Sequence, residues 1–147
     1  MKKINFLLAF IIAILYLIFN IFIIQHSHFD EDAYILFRYV DMLNKGFGIT
    51  YYPGASPIEG ATDFLWLIFI AGISKLGIDI GTSAIILNSF GVLGITYIFV
   101  DLLRKNIKDN YILLPICVLW ILFFPLIAAF GGFSVLFYCF FVVYILY

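Results

Sequence analysis

An all-α integral membrane protein is the fold class this sequence predicts, and three observations carry the prediction. Apolar residues make up 65% of the chain and charged residues only 12%. A soluble domain of this length has no interior large enough to hide that much hydrocarbon, so lipid must supply part of the solvent. The apolar residues also come in long runs rather than in alternation. Finally, of nine acidic residues, Asp30, Glu31, Asp32, Asp41, Glu59 and Asp63 fall between His26 and Trp66. Membrane proteins concentrate charge where they meet water or do chemistry. The expected architecture is a single membrane domain over 1–147, with transmembrane helices and a long first extracytoplasmic loop that carries two surface helices.

Residues 5–25 read as the first transmembrane helix. The run from Phe6 to Ile24 is apolar except for Asn20, and Lys2 and Lys3 place its start in the cytoplasm. A signal peptide has a shorter apolar core and an Ala-x-Ala-like cleavage site, and neither feature is present. The extracytoplasmic loop then runs over 26–81. Asp30, Glu31 and Asp32 suit the positive end of a helix dipole. From there Ala33, Leu36, Phe37, Val40 and Leu43 recur at helical spacing, predicting a surface helix near 32–45 whose apolar face rests on lipid or on other helices. Asp41 can pair with Lys45 one turn on. Gly46 suits the helix end, and Pro53-Gly54 is a turn signal.

A second surface helix is expected near 62–76, capped by Thr62 or Asp63. Its apolar stretch, Phe64 to Ile73, is about 10 residues, shorter than a span requires. Charge agrees. If this helix does not cross, Lys2, Lys3, Arg104, Lys105 and Lys108 lie inside and Arg38, Lys45 and Lys75 outside, as the positive-inside rule prefers. Residues 82–103 then form the second transmembrane helix, with Gly91 and Gly94 for close approach, Asn88 for a bond across the interface, and Asp101 placed to pair with Lys105. Residues 111–127 form the third, with Pro115 and Pro125 near its ends. Residues 133–147 are about 15 in number, short of the roughly 20 that cross a bilayer. They read as an incomplete fourth helix, and the chain as the N-terminal piece of a longer protein.

Several chemistries are not indicated. A net charge of −1 offers no basic surface, so nucleic acid is not an expected partner. Cys117 and Cys139 sit in apolar runs and read as packing residues. The acidic cluster suits general-base work on a hydroxyl, and equally suits a solvated helix start. Arg38 has the paired donors that recognise phosphate, or it forms a salt bridge with Asp41 or the acidic cluster. Asp30 and His28, with His26 nearby, have the donor atoms for a divalent metal, although no regular spacing fixes them. Trp66, Tyr51 and Tyr52 read as an interfacial aromatic belt, with sugar stacking as the alternative.

These residues also form a pattern. Asp32-Ala33-Tyr34-Ile35, Phe37-Arg38-Tyr39, Leu43, Gly46, Gly48, Tyr52-Pro53-Gly54, Glu59-Gly60, Thr62 and Phe64-Leu65-Trp66 resemble the first-loop signature of bacterial GT-C glycosyltransferases. The resemblance is to the branch with terminal arabinofuranosyltransferases and lipopolysaccharide-type sugar transferases. It implies a GT-C-like fold in the cell inner (plasma) membrane. It also implies transfer of a sugar from a polyprenyl-phosphate donor to a cell-envelope glycan, lipid or protein acceptor, facing outward. The implied catalytic base is Asp32, with Glu31 beside it. Arg38 is implied at the donor phosphate, and Tyr34, Glu59 and Asp63 at the substrate. A later outer loop in that branch often reads Gly-Leu-Glu, whereas this chain reads Gly131-Gly132-Phe133-Ser134, without the acid. The rival reading is a non-catalytic membrane protein, a truncated remnant or partner subunit that keeps the loop.

The charge argument makes a topological prediction. In a background without Cys117 and Cys139, Ser56→Cys should react with an impermeant thiol reagent added outside the cell, and Asn106→Cys should not. External labelling at 106 would show that the helix near 62–76 crosses.

Overall fold

The computed structural model describes residues 2–26, 29–56, 63–107, 116, 119–120 and 132–147, with the side chains of the first helix described over 7–22. The described residues are helical, without strands. The elements are α1 (Lys2–His26), α2 (Glu31–Asn44), α3 (Phe64–Ser74), α4 (Ile80–Asn106) and α5 (Val135–Leu146). The third transmembrane helix expected at 111–127 lies outside the described residues, except for 116, 119 and 120.

All the other helices pack on α4. It begins at Ile80, before the expected Thr82, because Asp79 caps it. The Asp79 carboxylate accepts the Thr82 backbone N–H at 3.1 Å. Among the described residues, α4 alone has the length and apolarity to cross a membrane, features that a buried core helix shares. α1 lies antiparallel to it. Leu8 packs on Val100, while Ile12, Ala13 and Tyr16 pack with Ile85 and Val92. Asn20, the polar interruption of α1, is buried and satisfies itself by donating to the Tyr16 carbonyl at 2.8 Å. On its outer face α1 exposes Leu7, Ile11, Leu15, Ile18 and Phe22.

α5 lies parallel to α4. Leu136 meets α4 at Gly91, Phe140 meets it at Gly94, and Tyr147 meets Asp101 and Lys105. Trp120, one of the few described residues between them, stacks on Phe99 at 4.2 Å and donates to Thr96 Oγ1 at 3.1 Å.

α2 and α3 lie side by side and point the same way. At their ends, Asn44 Nδ2 donates to Ser74 Oγ at 2.7 Å. At their starts, Ala33 and Trp66 both contact Gly132. Their shared core holds Ala33, Val40, Trp66, Leu67 and Ile70 with Ala84 of α4 and Phe137 of α5. The apolar face of α2 therefore rests on protein: Ala33, Phe37 and Val40 are buried, and Leu36 and Leu43 pack at the edge. Tyr39 and Met42 are buried as well. The pattern did not mark them, because the following loop folds back and sets Tyr51 against Tyr39 at 5.7 Å.

Glycine makes that fold-back achievable. Gly46, at φ +84°, follows the last turn of α2. Its N–H bonds to the Leu43 carbonyl at 3.1 Å, and the Phe47 N–H bonds to the Met42 carbonyl at 3.0 Å. This is the Schellman arrangement. Asp41 pairs with Lys45 at 2.7 Å and Asp101 with Lys105 at 2.9 Å. Cys139 departs from its expected packing role and is exposed, because α5 turns Leu136, Phe137 and Phe140 inward and position 139 away.

Gly91 and Gly94 set how close α5 can come. A Cβ on Gly91 would lie 2.4 Å from the Leu136 carbonyl oxygen, which is backbone and cannot move aside alone. A Cβ on Gly94 would meet the Phe140 ring at 2.2 Å, and a ring can turn. Gly91→Ala should therefore destabilise by about 1–3 kcal/mol, and Gly94→Ala by less. Thermal unfolding of the purified variants measures the difference. An equal effect would mean that the backbones do not meet at Gly91.

Candidate functional site

The sequence-marked residues start from the first turn of α2. Asp30 occupies the N-cap position and its carbonyl accepts the Ala33 N–H at 3.0 Å, while its side chain makes no capping bond. Asp30, Glu31 and Asp32 are all exposed. The turn that bears them is fixed from below. Ala33 is fully buried against Gly132, and Phe37 meets the Phe29 ring edge-on at 5.0 Å. Tyr34 is half exposed and leans on Phe29 and Phe37 at 6.0 and 6.1 Å. Exposed carboxylates thus stand on a packed helix start, where the dipole favours negative charge.

Helical geometry then sorts them. Adjacent residues point about 100° apart, so Glu31 falls on the same stripe as Tyr34, Arg38, Asp41 and Lys45. Asp32 lies beside that stripe, about 120° from Arg38 and about 9 Å from it along the axis. The Arg38 guanidinium is already engaged. Its Nη1 pairs with Asp41 at 3.1 Å, and its Nε donates to the Tyr51 carbonyl at 3.0 Å. Of the two readings of Arg38, the geometry contains the salt bridge, together with an anchor for the loop that the sequence did not disclose.

Asp63 differs from its expected role. It precedes α3 but makes no capping bond. Its carboxylate instead accepts the Ser134 hydroxyl, a residue far along the chain, at 2.5 Å. The turn over 132–134 has no acid of its own, and Asp63 supplies one there. Two more side chains hold this turn. Trp66 Nε1 donates to the Gly132 carbonyl at 3.2 Å, and Asn88 Nδ2 donates to the Phe133 carbonyl at 2.8 Å. Trp66 is fully buried, so it belongs neither to an interfacial belt nor to a sugar platform. Tyr51 and Tyr52 remain exposed.

The starts of α2, α3 and α5 therefore meet at one turn, and their positive ends share one region with Asp30, Glu31, Asp32 and Asp63. Ser134 was missed by sequence reasoning; a single hydroxyl in an apolar run was the signal. Glu59 and His28 lie outside the described residues, as does the side chain of His26. Among the described residues, no three His, Cys, Asp or Glu side chains gather in a metal-holding arrangement. A cavity of about 260 Å³ lies at the other end of α4, lined by Ile98, Leu102, Lys105, Val143, Leu146 and Tyr147.

Comparison with family models, curated proteins and solved structures found no match to this chain.

The hydrogen bond from Trp66 yields a stability prediction. Trp66→Phe keeps an aromatic ring and leaves the Gly132 carbonyl without its donor, at a cost of about 1–3 kcal/mol. Tyr52→Phe, at an exposed position, should stay within about 0.5 kcal/mol of the parent. Chemical denaturation of both variants gives the comparison. Equal stabilities would mean that the buried carbonyl finds another partner.

Proposed function

We propose that this chain is a membrane glycosyltransferase, or the N-terminal segment of one, of the polyprenyl-phosphate-dependent GT-C kind. The observation that carries the reading is the start of α2: exposed carboxylates on a helix turn locked by Ala33 and Phe37. A general base must reach its substrate and yet keep its position, and this turn meets both conditions. The apolar faces of α1 and α3, the length of α4 and the distribution of cations support a multi-pass protein of the plasma membrane. In that topology the N-terminus is cytoplasmic and the acidic loop extracytoplasmic.

In the proposed reaction Asp32 takes the proton of an acceptor hydroxyl, on a glycan, lipid or protein. The hydroxyl oxygen attacks the anomeric carbon of the donor sugar. The bond from that carbon to the lipid phosphate breaks, and the phosphate leaves with the electron pair. Glu31 and Tyr34, on the same helix face, would orient the acceptor. For Arg38 to receive the phosphate, its guanidinium would add the new partner to Asp41 and Tyr51 or exchange one of them for it. That engagement is the observation favouring the second reading, a non-catalytic membrane protein in which Arg38 only ties the loop to α2.

Substitution separates the two. In the protein that carries the transfer activity, Asp32→Asn removes the proton acceptor without changing shape. It should lower turnover by about 10²–10⁴-fold with little change in donor binding. Glu31→Gln should cost less, and Arg38→Ala should weaken donor binding. Initial transfer rates against donor concentration provide the measurement, and near-parental turnover in Asp32→Asn would remove the base assignment.

A further inference from the structure

The joined ends of α2 and α3 have no part in the proposed reaction, and they combine three features on one surface. The first is charge. The bond from Asn44 to Ser74 ties the last residues of the two helices together, and the residue after each is a lysine, Lys45 and Lys75. Lys45 shares Asp41 with Arg38. Asp79 is the other carboxylate of this region and already accepts from Thr82. Three cations against two carboxylates leave an excess of one positive charge. The second feature is apolar exposure. Leu76 is 78% exposed, Tyr52 59% and Phe47 49%. The outer face of α3 continues this surface with Phe64, Leu65, Ile68 and Phe69, without a polar side chain among them.

The third feature is rigidity. Leu76 follows Lys75 in a turn closed by Gly77 at φ +88°, and Phe47 lies between Gly46 and Gly48, at φ +84° and +79°. Tyr51 and Tyr52 precede a type II turn in which Gly54 takes φ +82° and the Ala55 N–H bonds to the Tyr52 carbonyl at 3.1 Å. Arg38 fixes the Tyr51 carbonyl. Large apolar side chains held outward by a built loop mark an interaction surface rather than slack chain.

We propose that this surface rests on the lipid headgroups, with Lys45 and Lys75 at the phosphates and Phe47, Tyr52 and Leu76 in the interfacial layer. The inference rests on the membrane reading given above and adds which end of the loop touches the leaflet. Its position agrees. Residues 75–79 alone separate α3 from the start of α4, so Lys75 and Leu76 are tethered within a few residues of the one long apolar helix among the described residues, on which Phe29, just before α2, also packs at Gly81. Lysine with tyrosine and exposed aliphatic groups is the composition of a membrane interface. Phe47 and Leu76 carry no hydrogen-bonding group of their own, which suits the acyl boundary better than a glycan. With this end seated, the starts of α2 and α3, with Glu31, Asp32 and Asp63, are held at a set height relative to the leaflet.

Spin labels measure that height. The full chain, with Cys117 and Cys139 replaced by alanine, is reconstituted in vesicles of phosphatidylcholine and phosphatidylglycerol. It is labelled singly at Phe47→Cys, Leu76→Cys, Ser56→Cys and Leu15→Cys. Collisions with oxygen, which favours lipid, and with a water-soluble nickel chelate give the depth of each label. Labels at 47 and 76 should lie in the interfacial layer, about 5–10 Å into the headgroup and acyl boundary. The label at 15 should lie deeper and the label at 56 in water. Lys45→Glu with Lys75→Glu should shift the label at 76 toward water. If 47 and 76 are as open to nickel as 56 while 15 is in lipid, the proposal is overturned and the patch faces water, as a glycan platform would. If 15 is also open to nickel, the membrane reading has failed and the patch falls with it. An unchanged depth at 76 in the lysine variant would overturn the phosphate contact.

Discussion

Two backbone carbonyls, those of Gly132 and Phe133, set the condition that the rest of the structure meets. They lie among packed helices, at the turn before α5, where leaving either unpaired would cost about 1–3 kcal/mol. Trp66 of α3 serves one and Asn88 of α4 serves the other. Asp63 holds the following serine, and Ala33 of α2 closes over Gly132. Four helices are thereby referred to one short turn. A shift of α3 would cost a buried hydrogen bond and a shift of α4 a part-buried one, which is a sharper restraint than apolar contact, since hydrocarbon surfaces can slide at little cost.

The same turn explains why the acidic loop is ordered at its base. α2 is short, and an isolated helix of its length is marginal in water. Its first turn stays in place because Ala33 and Phe37 enter the space beside Gly132, and its last turn because Asn44 is bonded to α3. Between those ends the outward stripe is free to be polar. The carboxylates at its start are therefore exposed on a turn whose backbone is packed through Ala33 and Phe37, and this is what gives the proposed general base its physical basis.

Arg38 shows how one side chain can serve architecture in a position where chemistry would also use it. Its bonds to Asp41 and the Tyr51 carbonyl fold the loop back over Tyr39. Any phosphate binding would have to coexist with that clasp. Trp66 illustrates the reverse case. An aromatic residue beside Phe64 and Leu65 looks like part of a surface belt, but one helical step of about 100° carries it from the outer face to the centre.

Periodicity and composition by themselves determined that the protein is helical. They also marked where α2 lies, which of its faces is apolar, and that Gly46 and Pro53-Gly54 turn the chain. These are local matters: hydrogen bonds within a helix, dihedral limits of glycine and proline, and charge pairs one turn apart such as Asp41 and Lys45. Gly91, Gly94 and Asn88 could be marked as contact residues, because small and amide side chains have few other reasons to stand in an apolar helix. Their partners could not be read. That Gly91 meets Leu136, that Asn88 reaches Phe133, and that Asp63 turns from capping α3 to Ser134 depend on residues more than forty positions apart. Only tertiary packing brings such residues together, and the energy of each bond depends on the burial that the packing creates. For the candidate site, the acidic turn was legible as chemistry. Which carboxylate shares a face with Arg38 follows from helical spacing, but what already holds Arg38 was settled by the folded chain, because the path of the returning loop to Tyr51 is a property of the whole.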